Sequence, residues 1–203
     1  STQASSGADT LSVGGSWLNS GELESARALS VEAAQLDNQG VVSSDGQLSV
    51  HLNGQQGLVQ GEQAVMRSRA GLDLTAQRLS NAGTLFAQGL MRLHGGVAVP
   101  MATLINSGKL VSDGRLEVFA QQVQNQGLMQ ARQGTQADLG SLQQSGTWVL
   151  SSQAPGTPDE VRVTGEWRQS GVTQSAGALQ AWAGNWVNTG SLVVGQSLTW
   201  QGT

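Results

Sequence analysis

The chain repeats one short motif nine times, and this repeat limits the possible folds more than any other feature of the sequence. Each copy has an Asn or Gln that is followed two residues later by Gly, and apolar residues alternate on either side. Four of the eight intervals between copies are 19 residues long. A repeat of about 20 residues that holds short strands has the size of one rung of a parallel β-helix. The amide residues of the copies are Asn19, Asn38, Gln55, Asn81, Asn106, Asn125, Gln144, Gln169 and Asn188.

The alternation within each copy has the two-residue period of a β-strand, not the period of a helix. In the second copy, Leu36, Asn38 and Val42 share one face, and Leu48 and Val50 return to that face after a turn. Connections between parallel strands of one sheet are right-handed. The sequence therefore predicts an all-β fold, a right-handed parallel β-helix of about nine to ten rungs with three loop insertions, which forms one domain over residues 1–203.

Stacked rungs would place like residues in columns. A buried amide is costly unless it is hydrogen-bonded, so we expect the Asn and Gln column to form a buried ladder of paired amides. The Gly column is expected to permit a close backbone approach that a Cβ atom would obstruct. The same register predicts that Arg92 and Glu117 face each other on adjacent rungs. One apolar column comprises Leu23, Val42, Val59, Leu85, Leu110 and Met129, and another comprises Leu29, Leu48, Leu72, Met91 and Leu116.

Three rungs are longer than the regular repeat and predict insertions. We expect extruded residues at about 62–71 in the third rung, 94–103 in the fourth and 151–160 in the seventh. Loops that interrupt a regular solenoid commonly carry its binding specificity. The insertions are therefore the first places to look for ligand contacts.

Composition excludes several classes of partner. Charged residues make up 12% of the chain, against about 25% in a typical soluble domain. The net charge of -4 provides no basic surface for nucleic acid or for anionic lipid. No apolar run approaches the ~18 residues of a membrane span. The chain has no Cys, so it has no disulfide and no thiolate metal site. We therefore expect neither nucleic-acid binding nor membrane insertion.

The segments 36–44 (LDNQGVVSS) and 104–112 (LINSGKLVS) resemble the haemagglutinin repeats of filamentous haemagglutinins. They are similar also to the repeats of contact-dependent growth inhibition exoproteins of Gram-negative bacteria. The resemblance covers about residues 10–200 and is specific for the repeat class. It implies a shaft fragment of a large secreted or cell-surface adhesin that is exported by an outer-membrane two-partner transporter. Such shafts project adhesive or toxin-bearing regions, and the Asn-Pro-Asn type motif of the family's secretion domain does not occur here.

A β-helical polysaccharide-active enzyme or a tailspike-like glycan-binding protein is the alternative. Glycoside hydrolysis uses two carboxylates roughly 5–10 Å apart. Asp45 and Asp113 share a repeat position, but the three rungs between them correspond to about 14 Å. The sequence therefore predicts no catalytic residue, no cofactor and no metal site. His51 is expected at a corner next to Glu32 of the previous rung, and His94 at the mouth of an insertion.

A few residues could contact a receptor or glycan on a host or neighbouring cell. Arg67 and Arg69 are expected on the first loop, and Asp159 and Glu160 on the third. These charges could equally serve only to solvate the loops. Trp182 has the register of an outward corner position, which it shares with Phe119, and an exposed aromatic ring can support a sugar. The five other tryptophans are expected to fill the core: Trp17, Trp148, Trp167, Trp186 and Trp200.

Overall fold

A computed structural model describes residues 7–151 and 158–202. These residues form a parallel β-solenoid whose strands pair in two sheets, one of 13 strands and one of nine. The strands are β1 Asp9–Ser12, β2 Ser16–Asn19, β3 Glu22–Ser25, β4 Leu29–Asn38, β5 Val41–Ser44, β6 Leu48–Gln60, β7 Val65–Ser68, β8 Leu72–Thr75, β9 Arg78–Asn81, β10 Thr84–Ala87, β11 Met91–His94, β12 Met101–Asn106, β13 Lys109–Ser112, β14 Leu116–Asn125, β15 Leu128–Ala131, β16 Thr135–Gln144, β17 Thr147–Leu150, β18 Asp159–Gln169, β19 Val172–Ser175, β20 Leu179–Asn188, β21 Ser191–Val194 and β22 Leu198–Gly202. The predicted all-β parallel solenoid is confirmed.

Each regular rung has three faces. In β4 the inward positions are Leu29, Val31 and Ala33, and then Leu36 and Asn38, so the alternation changes phase near residue 34. This change marks a corner, because a straight strand would keep a strict period of two. We call the part before this corner face 1 and the part after it face 2, while the short strand β5 forms face 3. Faces 1 and 2 belong to the 13-stranded sheet and face 3 to the nine-stranded sheet.

The core is a set of apolar columns that run along the axis. The predicted column Leu29, Leu48, Leu72, Met91 and Leu116 is confirmed as successive register partners. All five side chains are at most 3% exposed. Full burial of one such side chain contributes about 1.5–3 kcal/mol to stability, and every rung buries several of them. The fold is therefore stabilised mainly by the packing of apolar side chains on neighbouring rungs.

The third rung departs from the predicted register. Gln55 is exposed, and Gln60 occupies the ladder position beside Asn38. Likewise Met66, not Val59, is the partner of Val42 on face 3. The predicted positions of Gln55 and Val59 are therefore wrong.

The reason for this departure is that the extra residues of the rung are inserted at two points. Ala33 pairs with Leu52, a separation of 19, whereas Gln35 pairs with Gly57, a separation of 22. Val41 pairs with Val65, a separation of 24. Three residues are thus added at the corner and two more at the turn after Gln60.

The expected loop at 62–71 is consequently wrong for most of its length. Residues Val65–Ser68 form strand β7 on face 3, and Met66 is fully buried. Arg67 therefore lies on a face 3 strand and Arg69 directly follows that strand, so neither lies on an extruded tip. The short bulges elsewhere in the rung absorb the additional residues without interrupting either sheet.

The other two insertions differ from each other. Leu93 pairs with Val118, a separation of 25, and Met101 pairs with Ala120, a separation of 19, so six residues are inserted at 95–100. This confirms the insertion expected at 94–103 and narrows it. Of the expected loop at 151–160, residues 152–157 lie outside the described residues, and Asp159 already begins strand β18.

The amide ladder consists of two hydrogen-bonded runs. In each run an amide nitrogen donates to the amide oxygen of the next rung at 2.7–2.9 Å. Each run ends at a Gln, since Gln60 and Gln144 donate instead to the backbone carbonyls of Thr84 and Val172. Gln169 and Asn188 continue the register of the column, but Gln169 donates to the Ser191 carbonyl and Asn188 is exposed, so the expected buried pairing of amides is wrong for these two. The runs are Asn19–Asn38–Gln60 and Asn81–Asn106–Asn125–Gln144.

Candidate functional site

Each rung carries one outward side chain at the last outward position of face 1, next to the corner with face 2. From strand β14 onward, Phe119, Asp138, Arg162 and Trp182 are successive register partners. We call these four residues the corner column. Adjacent rungs are about 4.8 Å apart, so the four positions extend over roughly 14 Å along the axis. The register shared by Trp182 and Phe119 is confirmed.

The insertion at 95–100 begins next to the corner column and is fastened to the solenoid at its base. The His94 ring lies between two oxygens, with Nε2 2.8 Å from Asp73 Oδ1 and Nδ1 2.8 Å from the Gly96 carbonyl. Within the loop, the Gly95 amide donates to the Val99 carbonyl at 2.9 Å. The loop is therefore an ordered hairpin-like turn whose position is fixed by His94.

A cavity of about 550 Å³ lies between this loop and the corner column. We call it the groove. The loop contributes apolar side chains, and Val97 and Val99 are 95% and 48% exposed. The opposite wall is formed by Phe119, Asp138 and Arg162 of the corner column. The groove is further lined by Arg92, His94, Gln121, Leu139, Gly140 and Thr164.

Glycine occupies corner positions where adjacent rungs lie too close for a Cβ atom, and one of these positions lines the groove. A Cβ atom at Gly140, which lines the groove, would lie 2.4 Å from the Gln121 carbonyl oxygen. At Gly184, a corner position farther along the axis and outside the groove, a Cβ atom would lie 2.5 Å from the Thr164 carbonyl oxygen. Any larger residue at these corner positions would collide with the backbone of the previous rung.

Two charges of the groove remain available for a ligand. Arg92 is engaged, because its Nε donates to Glu117 Oε2 at 2.8 Å, and this confirms the predicted pairing of the two residues. Within the described residues, Arg162 makes no ion pair shorter than 4.0 Å, and Asp138 accepts one weak hydrogen bond, from Gln136 at 3.5 Å. The groove thus presents one carboxylate and one guanidinium side by side.

The two arginines proposed as ligand contacts are engaged elsewhere. Arg67 Nη2 lies 3.2 Å from Glu24 Oε1, and Arg69 Nε lies 3.2 Å from Asp45 Oδ1. Both ion pairs join rungs, the first on the outside of face 3 and the second at the turn that follows its strands. Surface pairs of this kind contribute about 0–1 kcal/mol, so their role is mainly to balance charge.

Asp159 is not a solvated loop residue, and that expectation is wrong. Its side chain is fully buried and accepts hydrogen bonds from the Thr135 amide at 2.8 Å and the Ser175 hydroxyl at 2.9 Å. Asp9 accepts a hydrogen bond from Ser25 at the same separation of 16 residues. Asp159 therefore has a structural role at the beginning of its strand.

Glu160 lies on the outside of face 1 as the register partner of Gln136, which in turn is the partner of Glu117. His51 is the register partner of Glu32, as predicted. On face 2, the Arg168 side chain hydrogen-bonds to Glu166 and lowers the pKa of that carboxyl below its ordinary value. None of these residues lines the groove.

The tryptophans divide as the register predicts. Trp148 and Trp167 are completely buried, and Trp17, Trp186 and Trp200 are partly buried against the core. Trp186 and Trp200 pack with ring centroids 4.2 Å apart. Trp182 lies outside, half-buried, and its indole donates to the Gln201 side chain. It forms the end of the corner column beyond Arg162.

Sequence reasoning missed the groove itself. The shared corner register of Phe119 and Trp182 was visible, and extending it to Asp138 and Arg162 would have identified the wall. The position of the loop at 95–100 over the groove could not be predicted in this way, because the repeat does not determine the path of an insertion.

The described residues contain no group of three or more His, Asp or Glu side chains that could hold a metal ion. In residues 7–151 and 158–202 no helix is long and apolar enough to cross a membrane. Comparison of the chain with protein-family models, with curated proteins and with solved structures finds no match.

Proposed function

We propose that this chain is a structural shaft or adhesin segment of a large secreted or surface-displayed bacterial exoprotein. The observation that carries the proposal is the continuity of the two sheets, which extend through all described rungs despite the insertions. Nine stacked strands at about 4.8 Å give a rod about 40 Å long. A solenoid of this kind provides a long, stiff rod from the repetition of one short sequence motif. The haemagglutinin-like repeat segments support the same role and imply an outer-membrane two-partner transporter for the parent protein.

Surface location is the first consequence to test. Antibodies raised against the purified segment are expected to label intact cells of the source bacterium, or the parent protein in its culture medium. External protease should remove the label from intact cells, while a cytoplasmic marker protein should persist. Labelling that requires permeabilised cells would contradict the proposal.

A polysaccharide-active enzyme is the second candidate, and the groove is the observation that favours it. Hydrolysis of a glycosidic bond uses two carboxyl groups, one as acid and one as nucleophile or base. The residues that line the groove include one carboxylate, Asp138. The groove is therefore better suited to holding a ligand than to cleaving one, and we retain the shaft as the proposed function.

Deletion of residues 95–100 tests whether the loop is separable from the rod. Joining His94 to Met101 gives a rung of 19 residues, in the manner of Phe119 and Ala120 on the next rung. The core continues beneath the loop, so we expect the unfolding free energy to change by less than about 1 kcal/mol. Urea denaturation followed by tryptophan fluorescence measures this change. A loss of several kcal/mol would show that the loop is part of the folding unit.

A further inference from the structure

We infer that the groove is a binding site for a neutral, hydroxyl-rich glycan, with one sugar ring against Phe119 and the next residue of the chain between Asp138 and Arg162. The inference deepens the proposed function, since it names the class of ligand that an adhesin segment with this surface would hold.

The wall of the groove provides the two kinds of contact that a sugar requires. Phe119 is half-buried and turns outward at the corner, where its ring can face the C–H side of a pyranose. Asp138 can accept hydrogen bonds from two hydroxyl groups, while Arg162 can donate several in a fixed plane. Gln121 and Thr164 also line the groove and add further hydrogen-bonding groups.

The charges favour a neutral ligand. Asp138 and Arg162 are neighbours in register and together carry no net charge. Arg92, the other guanidinium of the lining, is paired with Glu117 at 2.8 Å, a carboxylate that also lies 3.7 Å from Arg115. A strongly anionic glycan would meet Asp138 directly, and a cationic ligand would meet Arg162.

The backbone around the groove disfavours an extended peptide as the occupant. Strand β16 is paired on both sides, with β14 and with β18, so its backbone is not free to accept another strand at the groove. Recognition must therefore rely on side chains. In addition, the corner column continues beyond the cavity to Trp182, which allows a linear oligosaccharide to extend along the axis.

The loop closes one end of the site. Val97, Val99 and Pro100 form an apolar tip beside the cavity, and two of these side chains are 95% and 48% exposed. A ring held under the tip would cover this surface. The deletion of residues 95–100 should therefore remove binding while it leaves the rod folded.

Saturation-transfer difference NMR of the whole segment with defined oligosaccharides tests the inference. The neutral probes are maltotriose, mannotriose, chitotriose and lacto-N-tetraose, the acidic probes are sialyllactose and a hyaluronan tetrasaccharide, and an acetylated Val-Pro-Phe peptide is the non-sugar probe. At least one neutral sugar is expected to bind at millimolar concentration. Asp138→Asn and Arg162→Gln should each weaken that binding about tenfold or more, because each removes the charge that strengthens hydrogen bonds to the sugar hydroxyl groups.

Asp45→Asn and Arg67→Gln are the matched controls, since they make the same changes of charge on face 3 and should leave binding unchanged. Unaltered circular dichroism of all four variants separates lost binding from lost fold. Binding of none of the neutral sugars, binding of only the acidic sugars or the peptide, or equal binding by the groove variants and the parent would each overturn the assignment. Any of these results would leave the surface labelling of the parent protein unaffected, so the two proposals fail independently.

Discussion

Gly127→Ala is expected to be among the most destabilising single substitutions in the chain, at about 3 kcal/mol or more. A Cβ atom at this position would lie 2.1 Å from the carbonyl oxygen of Gly108 and 2.6 Å from the carbonyl carbon of Ser107. Both atoms belong to the backbone of the preceding rung, which is itself held by strand pairing on both sides. The new methyl group therefore cannot be accommodated by a side-chain rotation, and two rungs must move apart.

Gly21→Ala provides a matched control for this prediction. Gly21 is the first glycine of the same column, and nothing lies within 4 Å of the place where its Cβ atom would be. We expect its unfolding free energy to stay within about 0.5 kcal/mol of the parent. Thermal and urea unfolding of the two variants measure the difference. Equal stability of Gly127→Ala and Gly21→Ala would mean that the glycine column is kept for a reason other than the contact between rungs.

The physical reason for this glycine column is proximity, not backbone conformation. Within the described residues, positive φ angles at glycine occur only at Gly57, Gly96 and Gly134, which lie in bulges and turns. The stacking glycines are instead required by space: a Cβ atom would lie 2.1 Å from the carbonyl oxygen of the glycine one rung earlier at Gly108, and 2.2 Å from it at Gly146. The sequence-based expectation of a close backbone approach was therefore correct.

The repeat alone was sufficient to predict the register of the regular rungs. Wherever two copies are 19 residues apart, the apolar, amide and glycine columns fall as expected, as at Leu104 and Val123. A rung with a different length has to be aligned by its motif, and in the third rung Gln55 matched the motif better than Gln60 did. Gln55 has Gly57 two residues later, whereas Gln60 is followed directly by Gly61. The points at which the extra residues of this rung are inserted depend on packing against the neighbouring rungs, and the motif carries no information about that packing.

The candidate site was predictable only in part for a related reason. An outward position at a corner follows from the register, so Phe119 and Trp182 could be placed from the sequence. Whether an exposed residue is free depends on its neighbours across the rungs. Arg67 and Glu24 are 43 positions apart in the chain, yet their side chains meet at 3.2 Å. The sequence marks where a loop is inserted, but the way that His94 holds it over the corner becomes visible only in three dimensions.

Asn106→Asp is expected to destabilise the solenoid by about 3–5 kcal/mol at neutral pH, because it places a charge in the completely buried ladder. Asn106 accepts from Asn81 Nδ2 at 2.7 Å and donates through its own Nδ2 to Asn125 Oδ1 at 2.7 Å. The same nitrogen also donates to the Leu128 carbonyl at 3.1 Å. An ionised carboxylate keeps the first hydrogen bond but turns an oxygen toward two acceptors.

The sign of the pH dependence follows from this geometry. Burial and the two facing oxygens raise the pKa of the introduced carboxyl in the folded state above its value in the unfolded chain. The folded state then holds the proton more tightly, so acidification stabilises it relative to the unfolded state. The loss of unfolding free energy caused by Asn106→Asp, relative to the parent, should be largest at pH 7 and should become smaller as the pH falls through the raised pKa. A protonated carboxyl restores a donor, although a single O–H can serve only one of the two acceptors.

Urea denaturation of the parent and Asn106→Asp at neutral and acidic pH measures both effects, and Asn188→Asp serves as the control. Asn188 has the same ladder register, but it is exposed at the end of the column, where it accepts a hydrogen bond from the Gly190 amide at 3.0 Å. A carboxylate can accept that hydrogen bond equally well, so we expect a change of less than about 0.5 kcal/mol there. Asn106→Leu should destabilise the solenoid more than Asn188→Asp and less than Asn106→Asp, because it introduces no charge but leaves Asn81 and Asn125 without their partners. If Asn106→Asp unfolds together with the parent at neutral pH, the amide column is hydrated in solution and the ladder does not stabilise the rod.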